Sequence, residues 1–252
     1  MSSWIDLNAD LGEGMPGDAE MLQIVSSVSV ACGGHAGDAS TMHATLVAAR
    51  EHGVTAGAHP GFADKANFGR RRLDLPLRDI CDQVGAQVGG LLEIAAQVGI
   101  RIAYIKLHGA LANMAAEDTA LSTALFERVM EIDASLAVLA LDNSAQVTAA
   151  KALGMAVIRE AYADRRYTRD GLLVPRSQPN AVLTNPGDVI EQVVRLAKLG
   201  KIVAEDGTSL PAAAKSVCVH GDTPGAVELA RRVRAALEAA DISITSAIRI
   251  GS

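Results

Sequence analysis

The stretch Ile102-Ala103-Tyr104-Ile105-Lys106-Leu107-His108-Gly109 is a short apolar run that delivers a lysine and a histidine at its downstream end. A run of this length with β-branched members reads as a buried strand. The same grammar recurs along the chain. Ile5–Ala9 runs into Asp10, Val28–Cys32 into His35 and Asp38, and Val54–Ala58 into His59. Ala156–Arg159 leads to Glu160 and Asp164, and Val217–Val219 leads to His220 and Asp222. Helical stretches follow these runs, which is the signature of parallel βα units. In a parallel barrel all carboxyl strand ends share one rim, and active sites are built there. Four of the six histidines fall at such ends. With Leu136–Leu141 as a seventh run, the pattern predicts an α/β fold, a seven-stranded parallel β/α barrel with one polar mouth.

The first run differs from the others. In Ile5-Asp6-Leu7-Asn8-Ala9-Asp10, apolar and polar residues alternate, so Asp6, Asn8 and Asp10 share one face and point into a polar cavity. Gly12-Glu13-Gly14-Met15-Pro16-Gly17 formally matches a dinucleotide fingerprint, but no acid ends the next strand, and a tight turn near an anion is the better use. Helices are expected at Asp18–Ser26, Ala39–His52 (capped by Asp38 and Gly53), Pro76–Val98, Pro186–Leu199 and Ala226–Ala240. Asp170-Gly171 reads as a turn and Lys201–Leu210 as a small hairpin. His43 and His52 lie on a helix and read as surface or packing residues.

Length and composition narrow the class. The chain has 252 residues, is 49% hydrophobic and only 3% aromatic, so its apolar mass is Ala, Val, Leu and Ile, as parallel strands packed by helices require. One domain over residues 1–252 is expected, with no linker or low-complexity tract. A net charge of −6 and the lack of a basic run with aromatics argue against nucleic acid. No signal peptide and no apolar segment of membrane-spanning length appear, and three cysteines without metal-type spacing suit a reducing cytoplasm. Cys32 and Cys218 are expected as small apolar fillers at strand ends.

The rim gathers Asp6, Asn8, Asp10, Glu13, His35, Asp38, His59, Lys106, His108, Glu160, Asp164, Arg165, His220 and Asp222. Two chemistries fit this set. Asp10, His35 and His59 could ligate a divalent ion that activates water, although no H-E-x-x-H spacing is present. Alternatively, histidines and acids work as general acid and base while Lys106 stabilises an anion. The Arg70-Arg71-Arg72 run offers a clamp for a carboxylate or phosphate.

These segments together resemble a known family. Asp6-Leu7-Asn8-Ala9-Asp10-Leu11-Gly12-Glu13, Ala31-Cys32-Gly33-Gly34-His35-Ala36-Gly37-Asp38, Gly57-Ala58-His59-Pro60-Gly61 and Phe68-Gly69-Arg70-Arg71 match its blocks in order. Lys106-Leu107-His108-Gly109-Ala110-Leu111, Ala163-Asp164-Arg165 with Tyr167, and Cys218-Val219-His220-Gly221-Asp222 complete the set. The chain thereby resembles the lactam-utilisation (LamB/YcsF) family, the A-type component of bacterial ATP-dependent 5-oxoprolinase. That resemblance implies a barrel shared with polysaccharide deacetylases. It also implies hydrolysis of 5-oxo-L-proline to L-glutamate with ATP as co-substrate, alongside two partner subunits of B and C type.

On this reading Asp10, His35, His59, Lys106, His108, His220 and Asp222 are the expected catalytic groups. Asp6, Asn8, Glu13, Asp38, Arg70, Arg71, Glu160, Asp164 and Arg165 are the expected substrate-binding groups. No G-x-x-x-x-G-K-[ST] is present, so an ATP site here is unconventional or lies largely with the partners. The chain departs from the family pattern at Leu107, at Ala112 before Asn113, and at Gly34, where a smaller residue is expected to widen the pocket mouth. A metal-dependent deacetylase or amidohydrolase and a non-catalytic regulatory barrel are the competing classes.

Overall fold

The computed structural model describes residues 3–221 and 225–248. The strands are β1 (Ser3–Leu11), β2 (Ser27–Ala31), β3 (Thr55–His59), β4 (Ile102–Ile105), β5 (Ala137–Leu141), β6 (Val157–Tyr162), β7 (Lys201–Val203), β8 (Ser209–Pro211), β9 (Ser216–Cys218) and β10 (Ile242–Ile244). The helices are α1 (Asp18–Met21), α2 (Ala39–His52), α3 (Leu77–Val98), α4 (Gly109–Glu117), α5 (Thr119–Ile132), α6 (Ala145–Ala152), α7 (Pro186–Leu199) and α8 (Ala226–Ala239). Strands β1 to β6 and β9 pair in parallel, and β9 closes back onto β1, giving the expected seven-stranded barrel.

Local signals account for the helices. Asp38 caps α2 by accepting from the Thr41 N–H at 2.9 Å, and Gly53 ends it in the left-handed region. In α3, Ile80, Val84, Val88, Leu91, Ala95 and Val98 recur at helical spacing and are buried, each fully buried Val or Leu contributing about 1.5–3 kcal/mol. Leu91→Ala is therefore expected to cost about 2–5 kcal/mol, read by denaturant unfolding. Three expectations shift. The first helix stops at Met21, β6 runs on to Tyr162 and so contains Glu160, and β10 joins the amino-terminal half of β1 as an unexpected parallel partner.

The barrel interior departs from the apolar layering that the composition suggests. Apolar side chains such as Leu7, Val28, Val30 and Val217 pack between strands and helices. The inner faces of β1, β2 and β9 instead carry polar groups, Asp6, Asn8 and Asp10, Ser27 and Ser29, and Ser216. Low in the barrel, Asp6 accepts hydrogen bonds from Ser26, Ser27 and Ser216. Burial raises its carboxyl pKa despite those hydroxyls. One step up, Asn8 donates to Glu160 at 2.9 Å and to Ser216 at 2.7 Å. Tyr104 fills the centre, its hydroxyl 3.3 Å from Ser29 Oγ. Gly57 makes that possible, because a Cβ there would lie 2.2 Å from the Tyr104 ring. Gly57→Ala is expected to overpack the barrel, costing about 1–3 kcal/mol, measurable as a lowered melting temperature. Ala247 and Ile248, downstream of β10, pack against Tyr104 and its apolar neighbours.

Candidate active site

Asp10 is the last inward residue of β1 and is buried, yet its carboxyl stays ionised. Burial opposes the charge, but His59 and Lys106 outweigh that and hold the carboxyl well below its usual range. Lys106 Nζ lies 2.9 Å from both Asp10 Oδ1 and Glu160 Oε1, with Asn8 Oδ1 at 3.3 Å and Cys218 Sγ at 3.2 Å. Burial alone would neutralise this ammonium; Asp10, Cys218 and Glu160 instead hold its pKa well above the ordinary lysine value. Lys106 is thus enclosed and does not line the large cavity. Its ammonium is engaged by Asp10, Asn8 and Glu160 rather than turned into that cavity.

Three histidines stand above this layer. His59 Nδ1 donates to the Lys106 carbonyl at 2.8 Å, which turns Nε2 toward Asp10 Oδ2 at 3.4 Å and His108 Nδ1 at 3.0 Å. His108 Nε2 donates to the Phe68 carbonyl at 2.9 Å. His35 stacks on His108 with ring centroids 3.6 Å apart, and its Nε2 meets Glu13 Oε1 at 3.0 Å. Burial, then the charge of His59, lowers the His35 pKa to about 3. The Phe68 loop reaches this cluster because Gly109 adopts φ +57°, and a Cβ there would sit 2.6 Å from the Gly69 carbonyl oxygen.

Across the mouth, His220 Nδ1 lies 2.7 Å from Asp164 Oδ1 and its ring stacks on Tyr162. Burial pushes the Asp164 carboxyl up, but the charge and hydrogen bond of His220 bring it below the ordinary value. A ring nitrogen of His220, an Asp10 oxygen and Cys218 Sγ lie within 4.8 Å of one another, so the dyad and the histidine cluster address one space. That space is a cavity of about 330 Å³, within the usual range for small-ligand sites. Asp10, Glu13, His59, His108, Tyr162 and His220 line it, with Leu107, Ala112 and Leu173 as apolar wall and Arg70, Arg72, Arg165 and Arg176 as cations.

Several expected residues sit elsewhere. Asp38 is exposed and spends its carboxylate on the α2 cap. Asp6, Asn8 and Glu160 are barrel-interior groups below the cavity. Arg71 is exposed and outside the lining, whereas Arg72 lines the cavity and pairs with Glu117 at 2.9 Å. Arg165 lines the wall, but its guanidinium donates to the Val174 carbonyl at 2.6 Å, and burial lowers its pKa to about 10. Asp222 lies outside the described residues. Gly34 does not open the mouth: Gln87 fills the space beside it and holds the Gly61 backbone at 3.1 and 2.7 Å. The glycine-rich turn binds an anion of its own, the Asp18 carboxylate on the Gly12 N–H at 2.9 Å. Cys32 is a buried filler whose thiol burial pushes up to about 12.

Sequence reasoning missed Arg72, Arg176 and Tyr162 as lining residues. Arg72 belongs to the arginine run singled out above. Tyr162 could have been found by carrying the period-two count of β6 past Glu160.

Residues 5–251 match the model of the LamB/YcsF family. The chain is 46% identical over 247 residues to the A-type component of 5-oxoprolinase from Streptomyces avermitilis, covering 96% of this chain and 99% of the relative. It is also similar to the lactam utilization protein of Thermus thermophilus, whose crystal structure superposes with a TM-score of 0.88 at 35% identity, covering 96% and 99% of the two chains. A family 4 carbohydrate esterase from Streptomyces lividans shares the barrel alone, at TM-score 0.53 and 10% identity over 96% and 91% of the two chains. Full-length family match, near-full-length relatives and a superposable barrel agree: this chain belongs to the LamB/YcsF family.

Proposed function

We propose that this chain is the lactam-opening component of an ATP-dependent 5-oxoprolinase, binding 5-oxo-L-proline in the barrel mouth and working with two partner subunits of B and C type. The overall reaction is 5-oxo-L-proline, ATP and water giving L-glutamate, ADP and phosphate. A lactam carbonyl is a poor electrophile. Transfer of the γ-phosphoryl group to the carbonyl oxygen, with ADP leaving, makes the carbon attackable; one water adds and the ring C–N bond breaks to the amine, leaving an acyl phosphate, and a second water cleaves that to the carboxylate and free phosphate.

The observation that carries this reading is the His220–Asp164 dyad facing a cavity ringed by arginines. Asp164 orients the ring through Nδ1, leaving Nε2 to take a proton from water. Arg70, Arg72 and Arg176 surround a mouth suited to the carboxylate of the substrate and to phosphate, in a chain that is otherwise acidic. Similarity to relatives named as the A-type component of 5-oxoprolinase supports the assignment. On this reading ATP binds at an unconventional site here or is held largely by the partners, since the sequence lacks a phosphate-binding P-loop. A single domain over residues 1–252 and a cytoplasmic location belong to the same proposal. Three free cysteines support the latter, and among the described residues no helix is long and apolar enough to cross a membrane.

Reconstitution tests it. Glutamate release from 5-oxoproline is expected only with ATP, this chain and both partners together; no release from the complete mixture would remove 5-oxoproline as the substrate. A regulatory barrel would instead leave turnover unchanged in His59→Ala and His220→Ala.

A further inference from the structure

We propose that the Tyr162 hydroxyl is the proton donor to the ring nitrogen as the lactam C–N bond breaks, a role that rests on the lactam-opening reading above. A departing ring nitrogen must be protonated, because an amine anion is far too basic to leave on its own. His220 meets the opposite need, drawing a proton from water. The cavity therefore requires a second group that arrives already protonated.

Its place in the barrel singles out Tyr162. It is the last residue of β6, two on from Glu160, and so lies on the same inner face one step nearer the mouth. Its ring lines the cavity together with His220, on which it stacks with centroids 5.3 Å apart and planes inclined by 22°. Its hydroxyl has no hydrogen-bond partner among the described residues and is not sealed from solvent, so it opens on the cavity that the ring lines. The backbone beneath is fixed, its N–H on Tyr167 Oη at 2.6 Å and its carbonyl accepting from Gln192 Nε2 at 3.0 Å. Neighbouring donors are committed elsewhere. His108 Nε2 donates to the Phe68 carbonyl, Arg165 donates to the Val174 carbonyl, and Lys106 is enclosed among Asn8, Asp10 and Glu160.

Burial, and after it the charge of Glu160, holds the phenol well above its ordinary pKa, so its proton is in place at any working pH. The Lys106 ammonium, 5.1 Å from the ring centroid, opposes those effects and steadies the phenolate as it forms. In the step itself, the ring nitrogen takes the phenolic proton, the C–N bonding pair stays on nitrogen, and the amine leaves from the acyl phosphate carbon. The proton that His220 took from water then returns to the phenolate through solvent, and both groups are reset.

Tyr162→Phe removes the hydroxyl and keeps the ring, so the stack on His220 and the melting temperature should be retained. In the reconstituted complex, rapid-quench single turnovers follow ADP and glutamate separately. ADP should form at the wild-type rate, because phosphoryl transfer precedes C–N cleavage. Glutamate formation should slow about 10²–10⁴-fold, the range for a positioned acid, with KM for 5-oxoproline little changed. Unchanged glutamate formation, or ADP and glutamate slowed alike, would overturn the proton-donor role and leave the lactam-opening reading standing. No glutamate from the wild-type complex would count against that reading, and the role of Tyr162 would fall with it. Should Tyr162→Phe fail to fold, a wild-type crystal soaked with 5-oxo-L-proline decides. Tyr162 Oη is expected within about 3.2 Å of the ring nitrogen, and a ring nitrogen turned away from it would overturn the assignment.

Discussion

Lys106→Met is expected to lower the melting temperature by roughly 6–20 °C, corresponding to about 3–5 kcal/mol for a buried ion pair that loses one partner. The size follows from what is left behind. Lys106 is 2% exposed and neutralises Asp10 and Glu160, themselves 6% and 0% exposed. Without the ammonium, two carboxylates face each other in a medium that cannot solvate them, and Glu160 Oε2 already lacks a hydrogen-bond partner. Adding Glu160→Gln to Lys106→Met should restore part of the loss, because one of the two stranded charges is then gone. Thermal unfolding of the single and double variants measures both numbers. An unchanged melting temperature in Lys106→Met would mean that the triad is not ionised. Arginine should not rescue, since its longer planar fork does not fit between Asn8, Asp10, Glu160 and Cys218.

The second large effect concerns turnover. His220→Ala is expected to reduce glutamate release by the reconstituted complex about 10²–10⁴-fold, the usual range for removing a positioned general base. Its side chain is only 12% exposed and partners buried Asp164, so some stability is lost as well, and turnover is compared well below the variant's own melting temperature. Asp164→Asn should lower kcat while KM changes little, because the amide can no longer hold the imidazole in the tautomer that leaves Nε2 free. Steady-state kinetics with 5-oxoproline separates the two parameters. Equal rises in KM for both variants, with kcat intact, would make the dyad a binding element and not a base.

Much of this site is legible in the sequence because strand geometry is periodic. Counting by two from Asp6 places Asn8 and Asp10 on the inner face of β1, and counting by two from Lys106 gives His108; both hold. Depth is not legible. A period fixes which face a side chain takes, but how far it lies below the mouth depends on strand stagger, and so Asp6, Asn8, Glu160 and Lys106 sit deeper than the pattern suggests. Partnership across sequence is also hidden. His220 meets Asp164, 56 residues away, because β6 and β9 are neighbours in the barrel.

Composition misleads in one respect. An aromatic-poor, Ala/Val/Leu-rich chain suggests an apolar barrel centre, whereas most of that mass lies outside the strands and the centre pairs a polar column along β1 with a small apolar cluster around Tyr104. The reason is visible in Ser26, Ser27, Ser29 and Ser216, small hydroxyl residues that satisfy buried Asp6, Asn8 and Tyr104 without needing space. β10 escapes notice for a different cause: three residues after a helix carry too little periodicity to mark a strand.

A crystal structure of the chain soaked with 5-oxo-L-proline puts the shared pocket to the most direct test. Density is expected in the cavity between the His59–His108 pair and His220, with the substrate carboxylate toward Arg72 and Arg176. Substrate bound anywhere else, with that cavity left empty at saturating concentration, would contradict the placement of the reaction at the barrel mouth.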